Sequence, residues 1–414
     1  MIKDFPGRGR VAILRTSPET VLEDYARVME LAGLRDVLPQ EKETILKINI
    51  SWQTWYPACS TTPWQLEGVI RGLRAAGYED LIAAHNDTVV VDAHVGERNN
   101  KHKFVVDAYG IRNVHLFEPQ YNWVRYEPPE PFLVLDQIYP EGVYIPELLM
   151  GRNIIQLPTV KTHVFTTITG AMKNAFGGLL GRRRHWTHAD IHETLVDLLM
   201  IQQDIHPGLF AVMDGTFAGD GPGPRAMRWH EKDILLASAD QVAIDAMSAH
   251  LQGFDPLDIR FIRTAHDMGL GVGDPEQIEI VGEDRDWVMA QDWDFVQEDT
   301  FASRGQKAIY HGPLKPLEGL LLRSPLVPWS YFASNFYHNV YWYPFVGRDR
   351  VEEALKTKWG RHFSEYGAEA GLRGAVMPGM ERKTVTSAAV GLAAIAAATG
   401  VGIWLLTHGK DEHD

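Results

Sequence analysis

The stretch from Glu43 to Asp87 restricts the fold more than any other part of the chain. Glu43–Ile50 reads as a buried strand, its apolar run TILKINI broken only by Lys47 and Asn49. Thr62-Pro63 then opens a helix, because proline at the first helical position gives up an N–H that has no helical partner there. The helix continues as LEGVIRGLRAAG and is expected to stop at Gly77, a residue that readily takes the left-handed turn after a helix. Asp80–Ala84 is the next strand and runs into His85-Asn86-Asp87. Strand, helix and strand at this spacing predict a βαβ crossover and a parallel sheet.

Other segments extend the pattern. Val11–Leu14, Val114–Phe117, Arg152–Leu157, Leu209–Met213, Ile234–Ala237 and Ile278–Val281 read as strands, and Val21–Leu34, Phe104–Gly110 and Asp240–Leu251 as helices. Residues 119–140, rich in Pro and Glu, read as an irregular insertion or a hairpin. The expected class is α/β, a mostly parallel sheet with flanking helices over roughly residues 10–283. The organisation predicted is an α/β domain at 1–283, an aromatic-rich extension at 284–383, a hydrophobic helix at 384–407 and a tail at 408–414.

An apolar fraction of 45% with 23% charged residues argues against disorder. The net charge of −14 argues against nucleic-acid binding, which needs clustered Lys and Arg. The short basic run Arg182–Arg184 suits a small anion better than a duplex. Cys59 is the only cysteine, which excludes an intramolecular disulfide and a cysteine-ligated iron–sulfur cluster within one chain. The N-terminus has no long apolar core of a secretory signal.

Thr384–Thr407 carries no charge over 24 residues and follows Arg382-Lys383. That length crosses about 30 Å of hydrocarbon as a helix, and the basic flank places the main body on the cytoplasmic face. The alternative is an alanine-rich helix packed on the body. Residues 324–347 hold nine aromatics and no Lys, Arg, Asp or Glu. They suit a membrane interface, a cover for the sheet or a contact in a homo-oligomer. The expected partners are thus membrane lipid and a small anionic molecule.

The polar chemistry concentrates in QLPTVKTHVFTTITGAMKNAFGG, residues 156–178. Pro158 is expected to end a strand, and the chain to turn through a loop into a helix carrying Thr166, Thr169 and Lys173 on one face. With Lys161, His163 and Asn174, the free N–H groups of that helix would cradle a carboxylate or phosphate. The competing account has the threonines capping and the lysines reaching water. His185, His188 and His192 fall at helical spacing and could bind a divalent metal, act as acids or bases, or face solvent. In DGTFAGDGPGPR, Asp214 and Asp220 could hold a metal or a hydroxyl, with Gly221 and Gly223 allowing close approach to a ligand. Asp240 reads as a helix cap, and Asp245 as a helical carboxylate that needs a partner.

Taken in order, KIN at residue 47, TTP, LPTVKTH, TGAMKNAFGG, DG…GDGPGP, SADQVAIDA and GLGVGDPEQIEIVG resemble the domain of unknown function 362 family over roughly residues 10–283. The resemblance implies an α/β core and shared polar positions at Lys47, Asn49, Lys161, His163, Lys173, Asn174, Asp214 and Asp245. It implies no particular reaction. Many relatives carry a ferredoxin-like segment with clustered cysteines, which is missing here. The expectation is a membrane-anchored enzyme. It would act on a small anionic metabolite through Lys161, His163, Lys173, Asn174 and Asp214, with Lys47, Asn49, Thr169, Gly221 and Gly223 holding ligand or cofactor. A non-catalytic cofactor- or metal-binding protein and a membrane-bound assembly factor are the alternatives.

Overall fold

The computed structural model describes residues 4–87, 91–310 and 336–367. Ten strands make the main sheet: β1 (Arg10–Arg15), β2 (Thr44–Ile48), β3 (Leu81–His85), β4 (Arg112–His115), β7 (Asn153–Leu157), β8 (Thr159–His163), β9 (Thr167–Ile168), β10 (Leu209–Asp220), β11 (Arg228–Ser238) and β12 (Glu279–Gly282). Eight follow the order β12-β1-β11-β10-β7-β2-β3-β4, while β8 pairs with β10 and carries β9. Trp123–Tyr126 and Val143–Pro146 (β5 and β6) form a separate antiparallel pair, the hairpin alternative for the insertion.

The sheet is α/β and mostly parallel, but mixed. β11 runs antiparallel to both β1 and β10. The cause is the short connection from Asp220 to Arg228, which can join neighbouring strands only by reversal. β10 and β11 are also longer than predicted. The glycines that read as a loop lie within β10, at and beyond a bulge between Gly215 and Phe217. All residues of β2, β3, β7 and β8 are buried, as in a sheet covered by helices on both faces.

The helix Pro63–Ala75 starts where proline placed it. Thr62 Oγ1 accepts the Gln65 N–H at 3.2 Å, and the Thr62 N–H donates to Gln65 Oε1 at 3.3 Å. Such a cap contributes about 1 kcal/mol. Gln65 Nε2 also donates to Pro158 O and Val212 O, tying the helix start to the sheet. This helix meets Val21–Leu31 closely, since a Cβ at Gly68 would come within 2.6 Å of the Tyr25 ring. Asp240 is the predicted cap of Gln241–Leu251 and also accepts the N–H groups of Gly9 and Val272.

The extension predicted at 284–383 does not hold as one piece. Residues through Thr300 and from Asp349 onward group with the α/β body. The helix Lys358–Glu365 stacks Trp359 on Trp64 and Phe363 on Trp55, with ring centroids 5.4 and 4.1 Å apart. Periodicity alone could not show that its aromatics belong to the core. Residues 301–348 fall in a second unit that contains the helix Phe301–Tyr310 and a π-helical run, Phe336–Gly347. Phe336, Tyr341 and Phe345 are exposed there. Among the described residues no helix is long and apolar enough to cross a membrane. The predicted span at 384–407, the tail, and most of 324–347 lie outside the described residues.

Candidate functional site

Strand connectivity reverses between β2 and β7. The chain steps from β2 to β3 to β4 on one side, then returns to β7 and β10 on the other. Crossovers diverge at such a point and leave a crevice beyond the carboxyl ends of the strands. A cavity of about 260 Å³ is lined by residues from these ends, Lys47 from β2, His85 from β3, and Lys161 and His163 from β8.

Pro158 does not end the strand. It breaks the run into β7 and β8, and β8 goes on to pair with β10. Lys161 and His163 therefore come from a strand, and a period of two puts them on one face with Thr159. Lys161 Nζ donates to Thr159 Oγ1. The helix that follows is Gly170–Asn174, so Thr166 lies before it, and only Lys173 and Asn174 belong to it. Its first N–H groups do not face a ligand. Asp245 takes them, accepting from Ala171 N at 2.5 Å and Met172 N at 3.0 Å. The helix thus serves to position Lys173, while the charge on side chains makes the site.

That charge is one-sided. The lining includes Lys47, Lys161, Lys173, Arg184 and Arg225, with His85, His163, His185 and His188, and among the described residues that line it none is Asp or Glu. Burial, and then the nearby Arg184, pulls Lys47 down to about 7. Burial pulls Lys161 down to about 8, and burial with Lys161 and Arg184 does the same to Lys173. Buried cations without counter-charge are costly, and a bound anion is the partner that relieves the cost. Arg225 Nη1 is buried without a hydrogen-bond partner. Lys173 Nζ stands 5.2 Å from the centre of the Phe176 ring.

The histidines do not add to this charge. Burial holds His163 well below its ordinary pKa, with Lys173 reinforcing the shift. His163 Nδ1 accepts the Phe165 N–H at 3.1 Å, so the neutral ring carries its proton on Nε2. Burial, then Lys173, pulls His188 down to about 3.

Of the sequence-predicted residues, Lys47, Asn49, Lys161, His163, Thr169, Lys173 and Asn174 all line the cavity. Asn174 is already engaged, its Nδ2 donating to Lys47 O and Gln156 Oε1 at 2.9 Å each. Thr169 Oγ1 lies 3.3 Å from both Thr159 O and Lys161 O.

Asp214, Gly221 and Gly223 do not line it. β10 continues past Asp214, so its carboxylate is interior. It accepts from Tyr25, Thr62, Trp64 and both the N–H and hydroxyl of Thr216. With five donors on two oxygens, it is a structural hub. Asp220 accepts from Arg228 and from Val296 N. Gly223 allows close approach to protein, not ligand, since a Cβ there would fall 1.9 Å from Thr162 O.

The three predicted metal histidines are divided. His185 and His188 line the cavity from the 3-10 turn Arg182–Asp190, whereas His192 begins the next helix and stacks on Phe261. The change of helical pitch breaks the spacing that would align them. They are not among the described His, Asp and Glu groups whose ligand atoms approach one another closely enough to share an ion. Sequence reasoning left Arg225 and His85 out of the site. The first follows GPGP and the second ends a strand, but only topology brings both to Lys161.

These features define an open α/β protein with a polycationic cavity at its switch point. The chain belongs to the family described as a domain of unknown function (DUF362), whose model matches residues 44–250. A thylakoid-associated protein of Synechocystis is 31% identical over 128 residues, which is 30% of this chain and 40% of that protein. The match thus spans less than half the length of that relative. No solved structure matches the chain significantly.

Proposed function

We propose that the cavity binds a small metabolite carrying at least two negative charges, as carboxylate or phosphate groups, and that the protein is an enzyme acting on it. The observation that carries this reading is the convergence of Lys47, Lys161, Lys173, Arg184 and Arg225 on one cavity with no carboxylate among the described lining residues. Lys161, Lys173 and the two arginines hold the anionic groups. His163 offers its Nε2–H as a neutral donor. Lys47, drawn down to about 7, is the lining group best placed to exchange a proton near neutral pH. Isothermal titration of the full chain with sulfate, succinate and pyrophosphate tests the binding. At least one should bind, and Lys173→Met and Arg184→Met should each weaken it about tenfold or more. No binding, or unchanged affinity in both variants, overturns the reading.

The uncharged run 384–407 and the thylakoid association of the relative support a membrane location, with that run as a single-pass anchor and the body on the cytoplasmic face. The full chain should float with lipid vesicles, and a chain ending at residue 383 should not.

A further inference from the structure

We propose that His85, Glu97 and His115 form a binding site for a divalent transition metal of the zinc class, adjoining the anion cavity. β3 and β4 are parallel neighbours, and their register sets His85 opposite His115 at the carboxyl ends. Paired residues project from the same face of a sheet. Glu97 comes from the helix Ala93–Asn99 that follows β3. All three residues are buried, at 1%, 3% and 8% exposure. Their ligand atoms lie within 4.8 Å of one another. His85 Nε2 and His115 Nε2 each stand 3.1 Å from Glu97 Oε2. Two ligands about 2.1 Å from a tetrahedral ion stand about 3.3 Å apart, close to these separations.

Hydrogen bonding alone leaves this cluster incomplete. Both ring nitrogens of His85 are buried without a hydrogen-bond partner, so the approach to Glu97 is close but misdirected. The His85 and His115 rings stack with centroids 4.7 Å apart, an arrangement that two imidazolium ions would disfavour. The surroundings also match what metal ligands need. Glu118 Oε1 stands 3.4 Å from His115 Nδ1, which orients that ring with Nε2 toward Glu97. Asn113 Nδ2 donates to Glu97 Oε2 at 2.6 Å and fixes the carboxylate. His85 also lines the anion cavity, so an ion held here adjoins the bound anion. This inference does not depend on the anion proposal, since none of the cavity lysines is a ligand.

The test uses the full chain, stripped with chelator and titrated with Zn²⁺, and separately with Co²⁺ for its visible absorption. One tightly bound equivalent and the intense absorption of a four- or five-coordinate Co²⁺ ion are expected. Glu97→Gln and His115→Asn should each weaken Zn²⁺ binding about 100-fold or more, while His94→Gln at the exposed rim changes it by about threefold at most. Circular dichroism of each variant separates lost ligation from lost fold. A wild-type chain that retains no Zn²⁺, or a folded Glu97→Gln chain that binds it unchanged, overturns the proposal. Loss of sulfate binding in Lys173→Met with Zn²⁺ binding intact would show the two sites to be separate.

Discussion

Sulfate affinity should fall as pH rises from about 6 to about 9, by an amount set by the buried lysines. Sulfate keeps both charges over this range, so the change belongs to the protein. Lys161 and Lys173 sit at about 8 and Lys47 at about 7. At pH 9 a group of pKa 8 is charged in roughly one molecule in ten, so each such lysine the anion requires weakens binding about tenfold, or about 1.4 kcal/mol. If Lys161 and Lys173 are both required, the loss is about 100-fold, or about 2.8 kcal/mol. Near pH 6 all three are charged and affinity levels off. A bound dianion raises the lysine pKa values, so binding near pH 8 takes up protons. Titration calorimetry in buffers of different ionisation enthalpy reads that uptake directly. Affinity constant within about threefold across the range, with no buffer dependence, would refute the reasoning. Folding responds to the same shifts. The folded pKa of Lys47 lies below its model value of 10.5, so between about 7 and that value the unfolded chain binds more protons. This group therefore makes stability rise with pH across that window.

Four further outcomes follow from the packing. Asp214→Ala strands the hydroxyls of Tyr25 and Thr62 and the Trp64 N–H, and should cost about 3 kcal/mol or more, read as a lower denaturation midpoint. The folded fraction of that variant should bind sulfate normally. Gly223→Ala drives a methyl into Thr162 O and should cost about 1–3 kcal/mol by the same measurement. Asp245→Ala leaves the N–H groups of Ala171 and Met172 buried without acceptors; it should lower stability by about 2–3 kcal/mol and weaken sulfate binding by loosening the helix that carries Lys173. His192→Ala should leave calorimetric sulfate affinity within about twofold, because that ring packs on Phe261 and does not line the cavity.

What could be read from the sequence was what local chemistry determines. The helix at Pro63–Ala75 and the cap at Asp240 follow from residue types whose hydrogen bonds close within a few positions. Lys47, Lys161, His163 and Lys173 were found because charged groups in apolar strands and helices need a reason to be there. The failures arose where pairing overrode a local signal. Pro158 is a stop in sequence, but β10 supplies a partner for the residues beyond it. The glycines after Asp214 suggest a loop, yet they lie in a strand with a bulge, and this turns a supposed catalytic carboxylate into an interior hub. HxxHxxxH suggested a metal site through helical spacing, but the helix changes pitch at Asp190–Ile191. The His85, Glu97 and His115 cluster depends on the register of two strands, which no short stretch of residues encodes.

The central claim is that the cavity is built to hold a dianion, and anomalous diffraction from crystals soaked in selenate tests it most directly. Selenate copies sulfate in charge and shape and marks its own position. The account predicts a selenium peak inside the cavity, within hydrogen-bond reach of Lys161, Lys173 and at least one of Arg184 and Arg225. A cavity without selenium at concentrations that mark surface lysines would contradict it.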